Sequence, residues 1–175
     1  MKIFLIIIGS LIALVLIVAA ILPKNFKIEK SITINKSKTD VFVYLKSLKN
    51  SKKWQPWAKM DPEMKEEFKG VDSAVGAIAS WSGNRKVGVG EQEIINIVEG
   101  ERVDVELRFK EPMNVTNFAY FTTEAIDEKQ TKVTWGMTGK AKFPLNIVCH
   151  FMHGVVEKNF ESGLAELKKI LEQQS

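Results

Sequence analysis

The chain opens on an unbroken apolar run. Across residues 3–22 only Gly9 and Ser10 interrupt alanines and large hydrophobic residues, and no charge stands between Lys2 and Lys24. As a helix, a run of this length rises about 30 Å, the thickness of a bilayer's hydrocarbon core. Beyond it the pattern changes to period two. Phe26, Ile28, Ile32 and Ile34 alternate with Lys27, Ser31 and Thr33, which predicts a half-buried strand. Ser37-Lys38-Thr39-Asp40 then forms a capping box, and Val41, Phe42, Leu45 and Leu48 supply the apolar face of a short helix over 37–48. Residues 102–109 are the clearest strand, with Val103, Val105, Leu107 and Phe109 alternating with Asp104, Glu106 and Arg108. Residues 90–98 precede it across Glu99-Gly100. Residues 115–126 are joined to 131–141 by Asp127-Glu128-Lys129-Gln130, so the spacing predicts hairpins in a mostly antiparallel meander. After Pro144 the period becomes helical. Leu145, Val148, Met152 and Val155 form one stripe, and Cys149, Val156, Phe160, Gly163, Leu164 and Leu167 another, predicting a long helix that ends near Gln173. Its first half, 145–156, carries no formal charge when both histidines are neutral. A segment apolar nearly all round is buried, faces lipid, or borders an apolar ligand. Gly154 within it marks a bend or a close approach.

Two units follow: a transmembrane anchor over 1–23 and one soluble domain over 24–175. A cleaved signal peptide is the competing reading, because Val18, Ala19 and Ala20 offer small residues to a peptidase. A signal's apolar core runs about 7–15 residues, however, and Ile21 and Leu22 carry this one further, which favours a retained single-pass anchor. Lys24, Lys27, Lys30, Lys36 and Lys38 follow the run and only Lys2 precedes it, so the positive-inside rule leans towards a cytoplasmic domain.

Composition narrows the chemistry. With 175 residues, 45% hydrophobic and 26% charged, the chain suits one compact domain beside the anchor, not a disordered chain or a multidomain enzyme. One Cys and two His leave no disulfide and no Cys-rich metal framework, so no cofactor and no metal site are expected. The net charge of +4 is interleaved in sign along the strands, unlike a phosphate-tracking stripe, so nucleic acid is not an expected partner.

The order of elements carries a resemblance. It rests on Ser31-Ile32-Thr33-Ile34, Trp54-Gln55-Pro56-Trp57, Trp81-Ser82-Gly83-Asn84 with Lys86-Val87-Gly88-Val89-Gly90-Glu91, Lys132-Val133-Thr134-Trp135, and Phe160-Glu161-Ser162-Gly163-Leu164. In this order the segments resemble the START-like helix-grip (SRPBCC) superfamily, in particular its membrane-anchored polyketide cyclase/dehydrase and lipid-transport-like members. The resemblance implies an α+β fold: a curved antiparallel sheet of about six to seven strands gripping a long C-terminal helix, with two short helices after the first strand. It also implies an apolar cavity between sheet and helix. A shared fold does not transfer a reaction.

The expected function is membrane-tethered binding, for transport or sensing, of a lipid-like or polycyclic ligand. The alternatives are a polyketide cyclase/dehydrase-type enzyme and a partner-binding module with a filled core. The candidate lining is Trp54, Trp57, Trp81 and Trp135, with Phe109, Phe121 and Met137 from strands and Val148, Phe151, Met152 and Val155 from the last helix. Trp54 and Trp57 equally suit a staple between helices and sheet, and Trp81 and Trp135, on strands, suit the core better than a ligand contact. Lys46, Lys49, Lys52, Lys53 and Lys59 lie in a stretch without acids beside two tryptophans, a composition that attracts anionic headgroups or simply forms a solvated face. Cys149, His150 and His153 lack further ligands for a metal. Glu91, Glu93, Asp104 and Glu106 read as an exposed strand face balanced by Arg108 and Lys110, so no catalytic residue is assigned.

Overall fold

The computed structural model describes residues 1–173. Helix α1 (Lys2–Ile21) is the apolar run. Its large side chains are exposed, and Ala19, in its last turn, is its buried residue. Strand β1 (Asn25–Ile34) follows, turning Ile28 and Ile34 into the core.

Helix α2 (Lys38–Leu45) starts as the capping box predicts, with the Asp40 N–H donating to Ser37 Oγ at 3.2 Å. The helix expected to reach Leu48 ends three residues sooner, because Ser47 caps a second one, α3 (Leu48–Trp54). The Asp72 carboxylate holds this junction by accepting from the Ser47 hydroxyl at 2.6 Å and the Leu48 N–H at 2.9 Å. A one-turn helix, α4 (Trp57–Met60), opens at Pro56, so three short helices follow the first strand where two were expected.

Strands β2 (Lys65–Lys69), β3 (Ile78–Ser82), β4 (Val89–Val98), β5 (Arg102–Glu111), β6 (Val115–Ala125) and β7 (Thr131–Lys140) complete one seven-stranded sheet, ordered β1-β7-β6-β5-β4-β3-β2. Every neighbouring pair is antiparallel. Gly88 sits at φ 75° before a register shift between Val89 and Gly90, a β-bulge or irregularity in the β4–β5 pairing. The register puts Ile28, Trp135, Phe121, Val103 and Ile94 on one inner face, and Lys27, Tyr120, Arg108 and Glu91 on the outer one.

Helix α5 (Asn146–Gln173) runs beside β1 in the same direction. His153 meets the Lys27 carbonyl at 3.3 Å, Lys30 pairs with Glu161 at 2.8 Å, Lys168 donates to the Thr33 carbonyl at 2.7 Å, and the Asn35 N–H donates to Glu172 at 2.8 Å. The start of α5 therefore lies at the end of the sheet where α1 joins β1. The β4–β5 turn and the Glu172 end of α5 lie at the far end.

Candidate functional site

The two halves of α5 meet the sheet differently. From Phe160 onward the helix is sealed to it. The Trp135 and Phe160 rings stack with centroids 3.9 Å apart and planes 5° apart, and Trp54 meets Trp135 edge-on at 5.0 Å and Phe121 at 5.7 Å. Leu164, Leu167 and Leu171 are buried alongside. A Cβ at Gly163 would lie 2.9 Å from the Trp135 ring and 3.2 Å from Pro56 Cδ, so the glycine is where helix and rings approach most closely. Side chains fill this half, and Trp54, Phe121 and Trp135, three of the candidate ligand contacts, are part of the filling. Trp54 is the staple that the sequence allowed. Trp57 is half-buried against the same cluster.

Towards α1 the helix is apolar on its outer side as well: Val148, Phe151 and Val155, turned away from the sheet by their spacing from Phe160 and Leu164, are exposed, Phe151 at 75%, and Met152 is exposed beside them. Beneath this half the inner face presents Phe26, Met137, Leu107, Phe109 and Trp81, all partly buried, with Trp81 edge-on to Phe109 at 5.6 Å. Asn117 stands among them as a polar residue in an inward register position, and its Oδ1 is buried without a hydrogen-bond partner. Sequence reasoning passed over this residue. The legible signal was the one amide interrupting Val115, Ala119 and Phe121 at period two. No close approach explains Gly154, since a Cβ there would meet nothing within 4 Å.

Asn146, the first residue of α5, is also polar and buried. Its Nδ2 donates to the Ala19 carbonyl at 2.7 Å and the Leu22 carbonyl at 3.0 Å. The last turn of a helix leaves carbonyls without partners, and here a side chain 124 or more positions away supplies the donors. Two open clefts flank this joint. One, about 460 Å³, is lined by Pro23, Phe26, Asn146, Cys149, His150 and His153 among others. The other, about 580 Å³, is lined by Lys24, Asn114, Val115, Thr116, Lys140, Ala141, Lys142 and Phe143. Among the described residues no group of three or more His, Cys, Asp or Glu side chains is placed to hold a metal ion.

Of the lysines nominated for a membrane surface, three face a carboxylate. Lys46 pairs with Glu99 at 2.7 Å in the β4–β5 turn, at the far end from α1. Lys52 pairs with Glu66 at 3.2 Å, Lys59 with Glu166 at 2.9 Å, and Lys53 donates to Asn50 at 3.0 Å. Lys49 is exposed. On the outer face, Arg108 gathers Glu91 at 2.8 Å, Glu93 at 2.7 Å and Glu106 at 2.9 Å. Hydrogen bonds from Arg108 and Lys110 hold the Glu91 carboxyl below the usual carboxylate range.

A long C-terminal helix lying on one face of a seven-stranded antiparallel sheet, sealed at one end and left apolar and open at the other, is the architecture of a helix-grip protein. The chain belongs to the polyketide cyclase/dehydrase and lipid transport family, whose model matches residues 25–172. Solved structures agree in fold. A Thermobifida fusca protein has a TM-score of 0.66 at 14% identity, covering 84% of this chain and 93% of its own. Norcoclaurine synthase from Thalictrum flavum, in complex with dopamine and hydroxybenzaldehyde, has a TM-score of 0.62 at 12% identity, covering 86% and 88%. The Aha1 dimer from Colwellia psychrerythraea has a TM-score of 0.58 at 18% identity, covering 84% and 96%. No curated protein matches the sequence.

Proposed function

We propose that this protein is a membrane-tethered binder of a lipid-like or polycyclic molecule, held between the first half of α5 and the α1-proximal half of the inner sheet face. The observation that carries the proposal is the asymmetry of the inner face, which is sealed under α5 from Phe160 onward but only partly buried at Phe26, Leu107, Phe109, Trp81 and Met137 towards α1. Apolar surface left in water costs about 25 cal/mol per Å², and a guest that covers it recovers that energy. Phe26, Leu107, Phe109, Trp81 and Met137 form the sheet wall, and Met152 and Val156, one turn apart, form the helix wall. The unpartnered Asn117 Oδ1 supplies one fixed acceptor that orients a ligand carrying a donor.

Helix α1 is the tether: it is the one helix long and apolar enough to cross a membrane among the described residues. Cleavage beside Ala20 would remove one of the two carbonyls that Asn146 grips and uncover its side chain, which supports retention. The lysines that follow α1 support a cytoplasmic domain.

Native mass spectrometry of the full chain released from cell membranes tests the binding. The expected result is a retained non-covalent adduct that disappears in Met137→Trp and Leu107→Trp, which fill the open half, while both variants stay folded. A wild-type chain that is repeatedly empty would overturn the proposal.

A further inference from the structure

We infer that the cleft lined by Lys24, Lys140 and Lys142 binds the phosphate of an anionic phospholipid in the leaflet from which α1 emerges. The inference rests on the tethering proposed above. Its first support is charge. Lys24 lies between α1 and β1, Lys140 ends β7 and Lys142 follows it, so the three meet only through the pairing of Asn25 with Lys140 and the Ala141 N–H donating to the Lys24 carbonyl at 2.8 Å. No acid lines the cleft, and among the described residues none of the three has an ion-pair partner. Lys46, Lys52 and Lys59, by contrast, each face a carboxylate. A cationic cluster left without a carboxylate is complementary to an anion, and lysine serves phosphate as a point charge. Asn114 and Thr116 add donors in the same cleft.

The second support is position. The cleft lies at the foot of α1, where headgroups surround a spanning helix, and basic pockets beside membrane helices hold anionic headgroups. Its rim is apolar and exposed, with Met113 in the β5–β6 turn and Phe143 and Leu145 before α5. Lysine above the phosphate plane and aromatic or aliphatic tips at the acyl boundary match the layering of a bilayer interface. A domain seated this way turns the open half of α5 towards the membrane, the source of an apolar guest.

The test uses the full chain in nanodiscs, with a nitrobenzoxadiazole fluorophore on Met113→Cys in a Cys149→Ser background. Emission should rise and shift to the blue in discs containing phosphatidylglycerol relative to discs of phosphatidylcholine alone. The response should be lost in the triple Lys24→Gln, Lys140→Gln, Lys142→Gln variant and kept when the same three positions are changed to Arg. Each single Gln substitution should raise the midpoint of a phosphatidylglycerol titration about fivefold. The triple Lys46→Gln, Lys49→Gln, Lys53→Gln variant should respond like the parent. A chain that enters the discs but emits alike in both lipids, or a triple Gln variant that still responds, overturns the inference and leaves the tether standing. A chain that elutes apart from the discs overturns the tether as well. Inorganic phosphate that abolishes the response at matched ionic strength assigns the cleft to free phosphate and overturns the lipid assignment.

Discussion

The sealed and open halves of α5 predict opposite outcomes for the same substitution made nine residues apart. Glycine inside a helix costs about 1 kcal/mol relative to alanine, so Gly154→Ala, whose new methyl meets nothing within 4 Å, should stabilise the protein by about that amount. Gly163→Ala gains the same backbone benefit but places its methyl 2.9 Å from a Trp135 ring that Phe160 and Trp54 hold in place. Overpacking of this kind costs about 1–3 kcal/mol, so the net effect should be a loss of about 1 kcal/mol. The helix-propensity contribution cancels between the two variants. Their difference, about 2 kcal/mol, isolates the packing of the sealed half. Urea denaturation of the full chain in a mild detergent, followed by tryptophan fluorescence, measures both. Equal stabilisation by the two alanines would refute the claim that this interior is filled, and a loss from Gly154→Ala would refute the claim that a side chain there meets no neighbour.

Two further outcomes are expected. Asn146→Ala removes two hydrogen bonds to the end of α1, about 1 kcal/mol each; the newly orphaned Ala19 carbonyl roughly offsets the loss of the already unpartnered Asn146 Oδ1. Opening of the α1–β1 joint should therefore ease by about 2 kcal/mol and tryptic cleavage after Lys24 should quicken about 30-fold; an unchanged release rate of fragment 1–24 would show that the grip contributes nothing. With pH, the Asn35 N–H holds the Glu172 carboxyl below its usual 4.5, as Arg108 does first and Lys110 second for Glu91. Both groups are depressed in the folded state, so the unfolded chain takes up protons first as pH falls. Their stabilisation is whole above the ordinary carboxylate range and drains away as pH drops through the folded values. Denaturation midpoints taken from about pH 7 to about pH 3 should fall, and Glu172→Gln should flatten the decline; a parallel curve for the variant would refute the assignment.

Much of the fold was legible because it is written locally. Strict alternation in 102–109, the Ser37 cap and the helical stripes after Pro144 each depend on residues a few positions apart, and each element forms where its pattern lies. Strand β2 was not legible. As an edge strand it needs only Phe68 for the inner face, and its other residues, Lys65, Glu66, Glu67 and Lys69, carry no strand signal. The split at Ser47 was missed because the decisive partner, Asp72, lies 25 residues away.

The candidate site divides along the same line. Residue pattern alone established that an apolar helix precedes a domain of helix-grip order, and that 145–156 is too apolar to be an ordinary surface. It could not say which apolar residues fill the interior and which stay free, since Trp54, Phe121, Trp135 and Phe160 meet only through sheet register and the crossing of α5. The lysines show the same limit. A stretch free of acids along the chain proved to be furnished with acids in space, while Lys24, Lys140 and Lys142, unremarkable in sequence, share a cleft without one. Periodicity is a property of neighbours in the chain, whereas charge balance and cavity filling belong to neighbours in space, and these arise only once the chain has closed β1 onto β7.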